Sequence, residues 1–234
     1  GSLYYNPAKA QVRELIVNWA KEILQNYDVD GIHMDDYFYP TFNSSNVNSA
    51  FDAKEYKAST MGKHKNGIVA FRRQQVNALV KAIHSAVKAT KPNVTFGISP
   101  AGNIDNLTSK YSYYVDINKW LNSHVYVDYI CPQIYWGFKH PYAKFDRVTK
   151  RWMKAAKSKK VKVYIGIAVY RAGHNTGASS SERGEWRSDA NVLKKQVQYA
   201  RKKGCDGFAF FDYQDLKSKT SARAVKNLKK VLKR

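Results

Sequence analysis

The sequence predicts an α/β fold of the TIM type, in which parallel strands alternate with helices. Two observations lead to this prediction. A unit of strand, loop and helix repeats five times along the 234 residues, after one opening helix. Most strand segments are continuous apolar runs, which is typical of parallel strands covered by helices on both faces. Because a complete β/α barrel has eight strands, either the first three strands are absent and only the last five β/α units are present, or the five units form an open sheet.

The helices follow from apolar spacing and from their end signals. The first is expected to start at Asn6-Pro7, since Asn is a favoured N-cap and Pro suits the first helical position. Its apolar residues recur at helical spacing over 12–23. The other helices are expected at Ile68–Thr90, near Tyr113–Leu121, at Phe145–Ser158, at Ala190–Lys203 and from Ser221.

Five apolar runs are expected to form the strands: VDGIHM, VTFGIS, VDYICPQIYW, VKVYIGIAVY and GFAFFDY. Long polar loops follow the strands, for example at 41–66 and 171–187, and in β/α barrels such loops carry function. We interpret residues 1–234 as one domain that is truncated at its N-terminus, with Gly1-Ser2 as a cloning remnant. Open sheet edges in such a fragment favour self-association.

The composition restricts the partners of the chain. Forty Lys and Arg against 18 Asp and Glu give a net charge of +22, which favours attraction to a polyanion such as nucleic acid, an anionic membrane or an anionic cell wall, although solvated helix faces would explain the same charges. The sequence shows no nucleic-acid fingerprint and no apolar run of transmembrane length.

The sequence has no Cys/His cluster with zinc spacing, so we expect neither metal nor cofactor. Cys131 and Cys205 are expected to be buried thiols.

Polar and aromatic residues gather where the predicted strands end. Parallel strands present these ends on one rim, where acids, amides and aromatic faces suit a sugar polymer. Hydrolysis of a glycosidic bond needs an acid for the leaving oxygen and a second group for the developing cation. The residues are His33, Asp35, Asp36, Tyr37 and Tyr39 after the first strand, Ser99 after the second, Gln133, Tyr135 and Trp136 after the third, Tyr170 and Arg171 after the fourth, and Asp212 and Tyr213 after the fifth.

Asp35 and Asp36 are the strongest candidates for catalysis. Adjacent residues of a strand point to opposite faces, so we expect Asp35 inside the barrel and Asp36 at the rim or held by the Arg72-Arg73 pair. Asp212 offers a third carboxylate. Structural alternatives stay open: Asp36 as a loop cap or ion-pair partner, and His33 as a buried, hydrogen-bonded histidine.

The order of several motifs resembles the bacterial glycosyl-hydrolase-like family ten. The matching segments include VDGIHMDDYFYP, FRRQQVNALV, FGISP, PQIYWGFKHP and GFAFFDY. The resemblance implies a β/α barrel that hydrolyses cell-wall glycan, in particular peptidoglycan strands stripped of their peptides. It adds Arg72, Arg73 and Asn77 of FRRQQVNALV to the substrate-binding set. Two departures are AGNID after FGISP, where the family has an aromatic residue and an arginine, and Asp212, where the family has Ser.

A fainter likeness to family 18 chitinases suggests a mechanism. Their D-G-x-D-x-D-x-E pattern has partial counterparts in Asp30, Gly31, His33 and Asp35, with Tyr37 in place of the catalytic acid. Their M-x-Y-D pattern corresponds to Gln133 and Tyr135. Those enzymes use the substrate's own N-acetyl group as nucleophile. The likeness therefore implies an Asp as acid, with a neighbouring Asp and Tyr135 orienting the acetamido group.

We therefore expect an extracellular or envelope-associated bacterial glycosidase that acts on amino-sugar polymers. A non-catalytic glycan-binding module is the main alternative. A nucleic-acid-binding protein is the third.

Overall fold

The structure is a computed structural model that describes residues 3–43, 46–47, 49–63, 67–109, 111, 113–156, 158 and 160–232. The predicted cloning remnant Gly1-Ser2 lies outside the described residues. Parts of the 41–66 loop and of the basic segments at 157–162 and 228–234 also lie outside them.

Helices and strands alternate along the described chain. In order they are α1 (Ala10–Asn26), β1 (Gly31–Asp35), α2 (Ala53–Ala58), a 3-10 turn (Thr60–Lys63), α3 (Gly67–Thr90), β2 (Thr95–Ser99), α4 (Ile104–Leu107), α5 (Ile117–Leu121), β3 (Tyr129–Ile130), α6 (Phe145–Ala155), β4 (Lys162–Ala168), a 3-10 turn (Val169–Arg171), α7 (Ser180–Ser188), α8 (Val192–Lys202), β5 (Gly207–Phe211), α9 (Tyr213–Lys217) and α10 (Ala222–Leu232).

The five strands form one sheet in the order β1-β2-β3-β4-β5. The β4–β5 pair is parallel, from Tyr164 opposite Gly207 to Ala168 opposite Phe211. Each strand neighbours the next one in sequence, with helices between them, as in a β/α barrel. The predicted α/β class with five parallel strands is therefore confirmed. Among the described residues β1 and β5 have one neighbour each, and self-association along these edges stays a prediction.

Three predicted boundaries were wrong. The first helix begins at Ala10 rather than at Asn6, whose Oδ1 accepts the Ala8 N–H at 2.9 Å in the preceding turn. The third strand is only Tyr129–Ile130, because Pro132 has no N–H for a ladder. Part of the predicted 171–187 loop is helix α7.

The chain divides into two compact units. The first holds Gly1–Ile98 and Ile104–Tyr129, and the second holds Ser99–Asn103 and Ile130–Arg234. The core of the first unit includes Leu24, Val76, Val80, Ile83, Phe96 and Trp120, and that of the second includes Ile134, Phe145, Trp152, Ile165, Trp186 and Val197. Among the described helices, none is long and apolar enough to cross a membrane.

The two thiols differ in burial. Cys131 is buried as predicted, whereas Cys205 is only half-buried, and among the described residues neither sulfur is in a disulfide.

Candidate active site

The end of β1 holds two consecutive carboxylates in opposite environments. His33, Asp35 and Tyr37 are exposed, in agreement with the alternation that the sequence predicts. Asp36 is 1% exposed, so its side chain is not open at the rim, and the alternative expectation that the Arg72-Arg73 pair holds it stays a prediction. The chain thus presents one carboxylate to solvent and holds the next one inside the first unit.

Two tyrosines accompany these carboxylates. The rings of Tyr37 and Tyr113 lie 6.4 Å apart. Burial raises the pKa of Tyr37, and the charges of Asp35 and Asp36 raise it further. Burial also raises the pKa of Tyr113, with smaller contributions from Asp36 and Tyr37. Both phenols therefore stay protonated at neutral pH and can donate hydrogen bonds.

Sequence reasoning placed Tyr113 in a short helix and did not assign it to the site. Tyr113 and Tyr114 instead have φ angles of 61° and 54°. This left-handed conformation costs a residue with a side chain roughly 1–2 kcal/mol. No glycine marks the turn, so the sequence carries no signal for it. Strained backbone of this kind concentrates at functional sites.

A buried charged cluster lies beneath the loop that follows β1, and we call it the Arg72 cluster (Asp52, Arg72 and Tyr114). Arg72 is fully buried and donates from Nε and Nη2 to both oxygens of Asp52 and from Nη1 to the Tyr114 hydroxyl. Burial alone would lower the pKa of Arg72, but the bonds to Asp52 outweigh it and the pKa is raised.

The surroundings of the Arg72 cluster bury two residues that the sequence analysis assigned to substrate binding. The guanidinium carbon of Arg72 lies 4.2 Å from the ring centre of Phe42 and 5.6 Å from that of Tyr39. Tyr39 is 3% exposed and Arg72 is 0% exposed. Neither side chain is open to a ligand in this arrangement, and the assignment of these two residues to substrate binding stays a prediction.

Two other predicted residues lie on α3. Arg73 donates from Nη2 to the Thr108 carbonyl at 3.2 Å. Asn77 donates to Asp116 at 3.0 Å and accepts from the Trp120 indole at 2.7 Å. Arg73 and Asn77 also line a cavity of about 500 Å³ with Lys81 and Lys119. Their role in substrate binding stays a prediction.

His33 makes a specific contact at the exposed face of β1. Its Nδ1 lies 2.8 Å from the Tyr129 hydroxyl, and the two rings stack at 5.8 Å. Partial burial lowers the pKa of His33, although the Asp35 charge offsets part of this. The neutral imidazole is therefore favoured near neutral pH, and its tautomer follows the direction of the bond to Tyr129.

In the second unit, three aromatic rings meet at the strand ends. Tyr135 stacks on Phe211 at 5.9 Å and meets Tyr170 edge-on at 6.0 Å. Arg171 donates from Nε to the Tyr170 hydroxyl at 3.3 Å. The structure thus brings Tyr135, Tyr170 and Arg171 together as predicted, and it adds Phe211, which is 53% exposed.

The remaining polar residues of the second unit are tied to the backbone. Ser99 is 6% exposed and donates to the Cys131 carbonyl at 2.9 Å. The Gln133 side chain donates from Nε2 to the Ser99 carbonyl at 3.0 Å. The backbone of Gln133 forms isolated parallel β-bridges with Ala101 on one side and Gly166 on the other. The Asp212 carboxylate caps α9 by accepting the Asp215 N–H at 3.2 Å.

The loop 136–140 is held by two buried glutamates that the sequence did not single out. Glu182 accepts the Gly137 N–H at 3.0 Å, and Glu185 accepts the N–H groups of Phe138 and Lys139 at 3.2 and 2.9 Å. Their signal was present in Ser179-x-x-Glu182, which has capping-box spacing, and the Ser179 hydroxyl does accept the Glu182 N–H. These bonds fix the backbone next to Trp136.

The described residues offer no group of three or more His, Cys, Asp or Glu side chains that could hold a metal ion.

Comparison with known proteins gives the family. Residues 1–188 match the family model described as "Glycosyl hydrolase-like 10". The chain belongs to the glycosyl hydrolase-like 10 family. This agrees with the resemblance found in the motifs.

Relatives and solved structures extend this result. Within the glycosyl hydrolase-like 10 family, the chain is 34% identical to glycosyl hydrolase YngK of Bacillus subtilis, over 92% of this chain and 42% of YngK. It is 31% identical to glycosyl hydrolase DigH of Escherichia coli, over 82% of this chain and 45% of DigH. The chain thus spans less than half the length of these relatives. In fold it is similar to α-L-fucosidase isoenzyme 2 of Paenibacillus thiaminolyticus, with a TM-score of 0.60 at 15% identity, over 99% of this chain and 31% of that one.

Proposed function

We propose that this chain is a glycoside hydrolase that cleaves bacterial cell-wall glycan made of N-acetylated amino sugars. The observation that carries the proposal is the pair of carboxylates at the end of β1, with Asp35 exposed and Asp36 buried. Two carboxylates in unlike environments are a recurrent arrangement for acid and charge-stabilising roles. Membership of a glycosyl hydrolase-like family supports the reaction class.

The difference in exposure between Asp35 and Asp36 supports different roles for them in the proposed reaction. Asp35 meets the substrate because its side chain is open, and it donates a proton to the glycosidic oxygen as the C1–O bond breaks. The substrate's acetamido oxygen then bonds to C1, as in substrate-assisted hydrolysis. Water later attacks C1, releases the acetamido oxygen and returns a proton to Asp35. Asp36 contributes a fixed negative charge from the buried side of the same strand end.

The substrate class follows from the same chemistry. Peptidoglycan strands stripped of their peptides carry an N-acetyl group on each sugar, as the mechanism requires. They lie outside the cytoplasm, so we propose an extracellular or envelope location, which cell fractionation tests. A net charge of +22 favours approach to an anionic wall.

The test compares Asp35→Asn and Asp36→Asn on peptide-free glycan strands, with released fragments as the measurement. Asp35→Asn should lower the rate about 100-fold or more, and Asp36→Asn should lower it less while also reducing stability. Asp30→Asn, at the other end of β1, is the matched control and should keep full activity. Full activity in both site variants would contradict the proposal. Binding without any products from the unaltered chain would favour a glycan-binding module.

A further inference from the structure

The adjacent residues Tyr113 and Tyr114 share a left-handed turn, but their side chains have different contacts. Tyr114 is fully buried, accepts a hydrogen bond from Arg72 Nη1 at 2.8 Å and packs edge-on against Tyr39 at 5.1 Å. The residue after it is also fixed, because the Val115 N–H donates to the Leu107 carbonyl at 3.0 Å. These contacts anchor Tyr114 within the Arg72 cluster, and the left-handed turn then sets the direction of Tyr113.

Tyr113 is not anchored in this way. It is only half-buried, and among the described residues its hydroxyl has no hydrogen-bond partner. The neighbouring Tyr37 is 64% exposed, and its hydroxyl likewise has no partner among them. A structural tyrosine is expected to bury its ring and satisfy its hydroxyl. Tyr114 fits that description, and Tyr113 does not.

The neighbours of the Tyr113 ring also favour a contact with ligand. Its ring lies beside Tyr37, and the buried Asp36 is close enough to act on its phenol electrostatically. The left-handed backbone thus presents a half-buried phenol beside Tyr37 and near the Asp36 charge, and backbone strain of this kind concentrates at ligand-binding sites. A neutral phenol suits a sugar, because its O–H donates to hydroxyl or amide oxygens and its ring face packs on C–H groups.

We propose that Tyr113 is a substrate-contacting residue that the Arg72 cluster holds in place. Its hydroxyl donates a hydrogen bond to the N-acetylated amino sugar that lies against Asp35 and Tyr37. This inference rests on the proposed function for the identity of the ligand. It goes further by assigning a residue that neither the motifs nor the strand-end pattern contains.

Two variants of Tyr113 distinguish the loss of a substrate contact from a loss of folding stability. Tyr113→Phe removes only the hydroxyl, and it should lower kcat/KM on peptide-free glycan about tenfold, the usual effect of one lost hydrogen bond, with an unchanged melting temperature. Tyr113→Gly removes the ring but accepts the left-handed conformation, so it should keep or raise the melting temperature while activity is lost. Tyr27→Phe is the matched control, since Tyr27 is exposed and follows α1, away from the end of β1 that holds Asp35.

The outcomes distinguish this inference from the proposed function. If the unaltered chain cleaves glycan and Tyr113→Phe has the same kcat and KM, the inference is overturned and the function stands. If the unaltered chain only binds glycan oligomers, the hydrolase proposal fails, and an affinity loss of about tenfold in Tyr113→Phe would still support the contact. Equal affinity would overturn it, and absence of any binding would overturn both.

Discussion

Arg72 and Asp52 form a double hydrogen bond inside the first unit, with the arginine Nε and Nη2 at 2.8 and 2.7 Å from the two carboxylate oxygens. Both side chains are 0% exposed. The pair joins α3 to the residue that precedes α2, and its remaining Nη1 donor bonds Tyr114. It therefore links the loop after β1 to the segment that carries Tyr113.

Asp52→Asn should destabilise the chain strongly. The substitution keeps the shape of the side chain but leaves the buried guanidinium without its counter-charge, which costs about 3–5 kcal/mol when one partner of a buried pair is removed. Denaturant unfolding measures this free energy. The control is Asp189→Asn, because Asp189 pairs with Lys195 at 2.6 Å where the lysine is 56% exposed. An exposed pair contributes about 0–1 kcal/mol, and equal losses in both variants would contradict the structural role given to Asp52.

Asp128 should give the stability a specific pH dependence. Burial would raise the pKa of Asp128, but hydrogen bonds from Lys88 and the Phe96 N–H, with the nearby His84, hold it below its ordinary value. A lowered folded pKa means that the carboxylate stabilises the fold above the ordinary aspartate range and loses this effect as the pH falls through the folded pKa.

Asp128→Asn should therefore cost about 1–3 kcal/mol at pH 7. The difference from the unaltered chain should shrink as the pH falls below about 4. Urea unfolding at several pH values measures it, with the exposed Asp28→Asn as control. A difference that stays constant down to pH 2 would show that the charge of Asp128 does not matter.

Much of the fold could be predicted because it depends on apolar periodicity. The five strands and the long helix α3 follow from patterns that local sequence specifies. Predicted boundaries failed where a single residue overrides the pattern. Pro132 ends β3 early, and Ser179 starts a helix inside a segment that looks like a polar loop.

The candidate site was predicted only in part. Alternation along β1 correctly placed Asp35 and Asp36 on opposite sides of the strand. Which of the two carboxylates is buried depends on the segments that pack against each side, and the local sequence does not specify those segments. Arg72 was assigned to substrate binding through the family resemblance of its segment, and nothing in the sequence indicated that Asp52 and Tyr114, which are distant in the chain, hydrogen-bond it in the interior. Tyr113 was missed because its role depends on a left-handed turn without glycine.

Glu182→Gln should loosen the loop that holds Trp136. The Glu182 carboxylate accepts N–H groups from Gly137 and Ala178 at 3.0 and 2.7 Å and lies 3.3 Å from the Trp186 indole nitrogen. An amide in its place would turn an NH₂ group toward one of these donors and leave it unsatisfied, at a cost of about 1–3 kcal/mol. Thermal unfolding with tryptophan fluorescence measures the effect. Glu14→Gln on the exposed side of α1 is the control, and an equal effect there would refute the prediction.

Wall binding should depend on a lysine cluster of the last two helices. Lys217, Lys226, Lys229 and Lys230 line one cavity of about 460 Å³ beside Leu216 and Ala222. Four cations around one concavity attract an anionic polymer more than the same charges spread out. The triple variant Lys226→Gln, Lys229→Gln and Lys230→Gln should bind isolated anionic walls on the order of tenfold more weakly at low salt, and less so at high salt because exposed charges are screened.

The matched control removes three charges from exposed lysines of the first unit, as Lys9→Gln, Lys54→Gln and Lys57→Gln. Both variants lower the net charge equally, so a cluster effect appears as a larger loss in the first. Co-sedimentation with walls at several salt concentrations measures it. Equal losses would assign the attraction to the total charge of +22, and binding that does not change with salt would exclude a charge-driven approach.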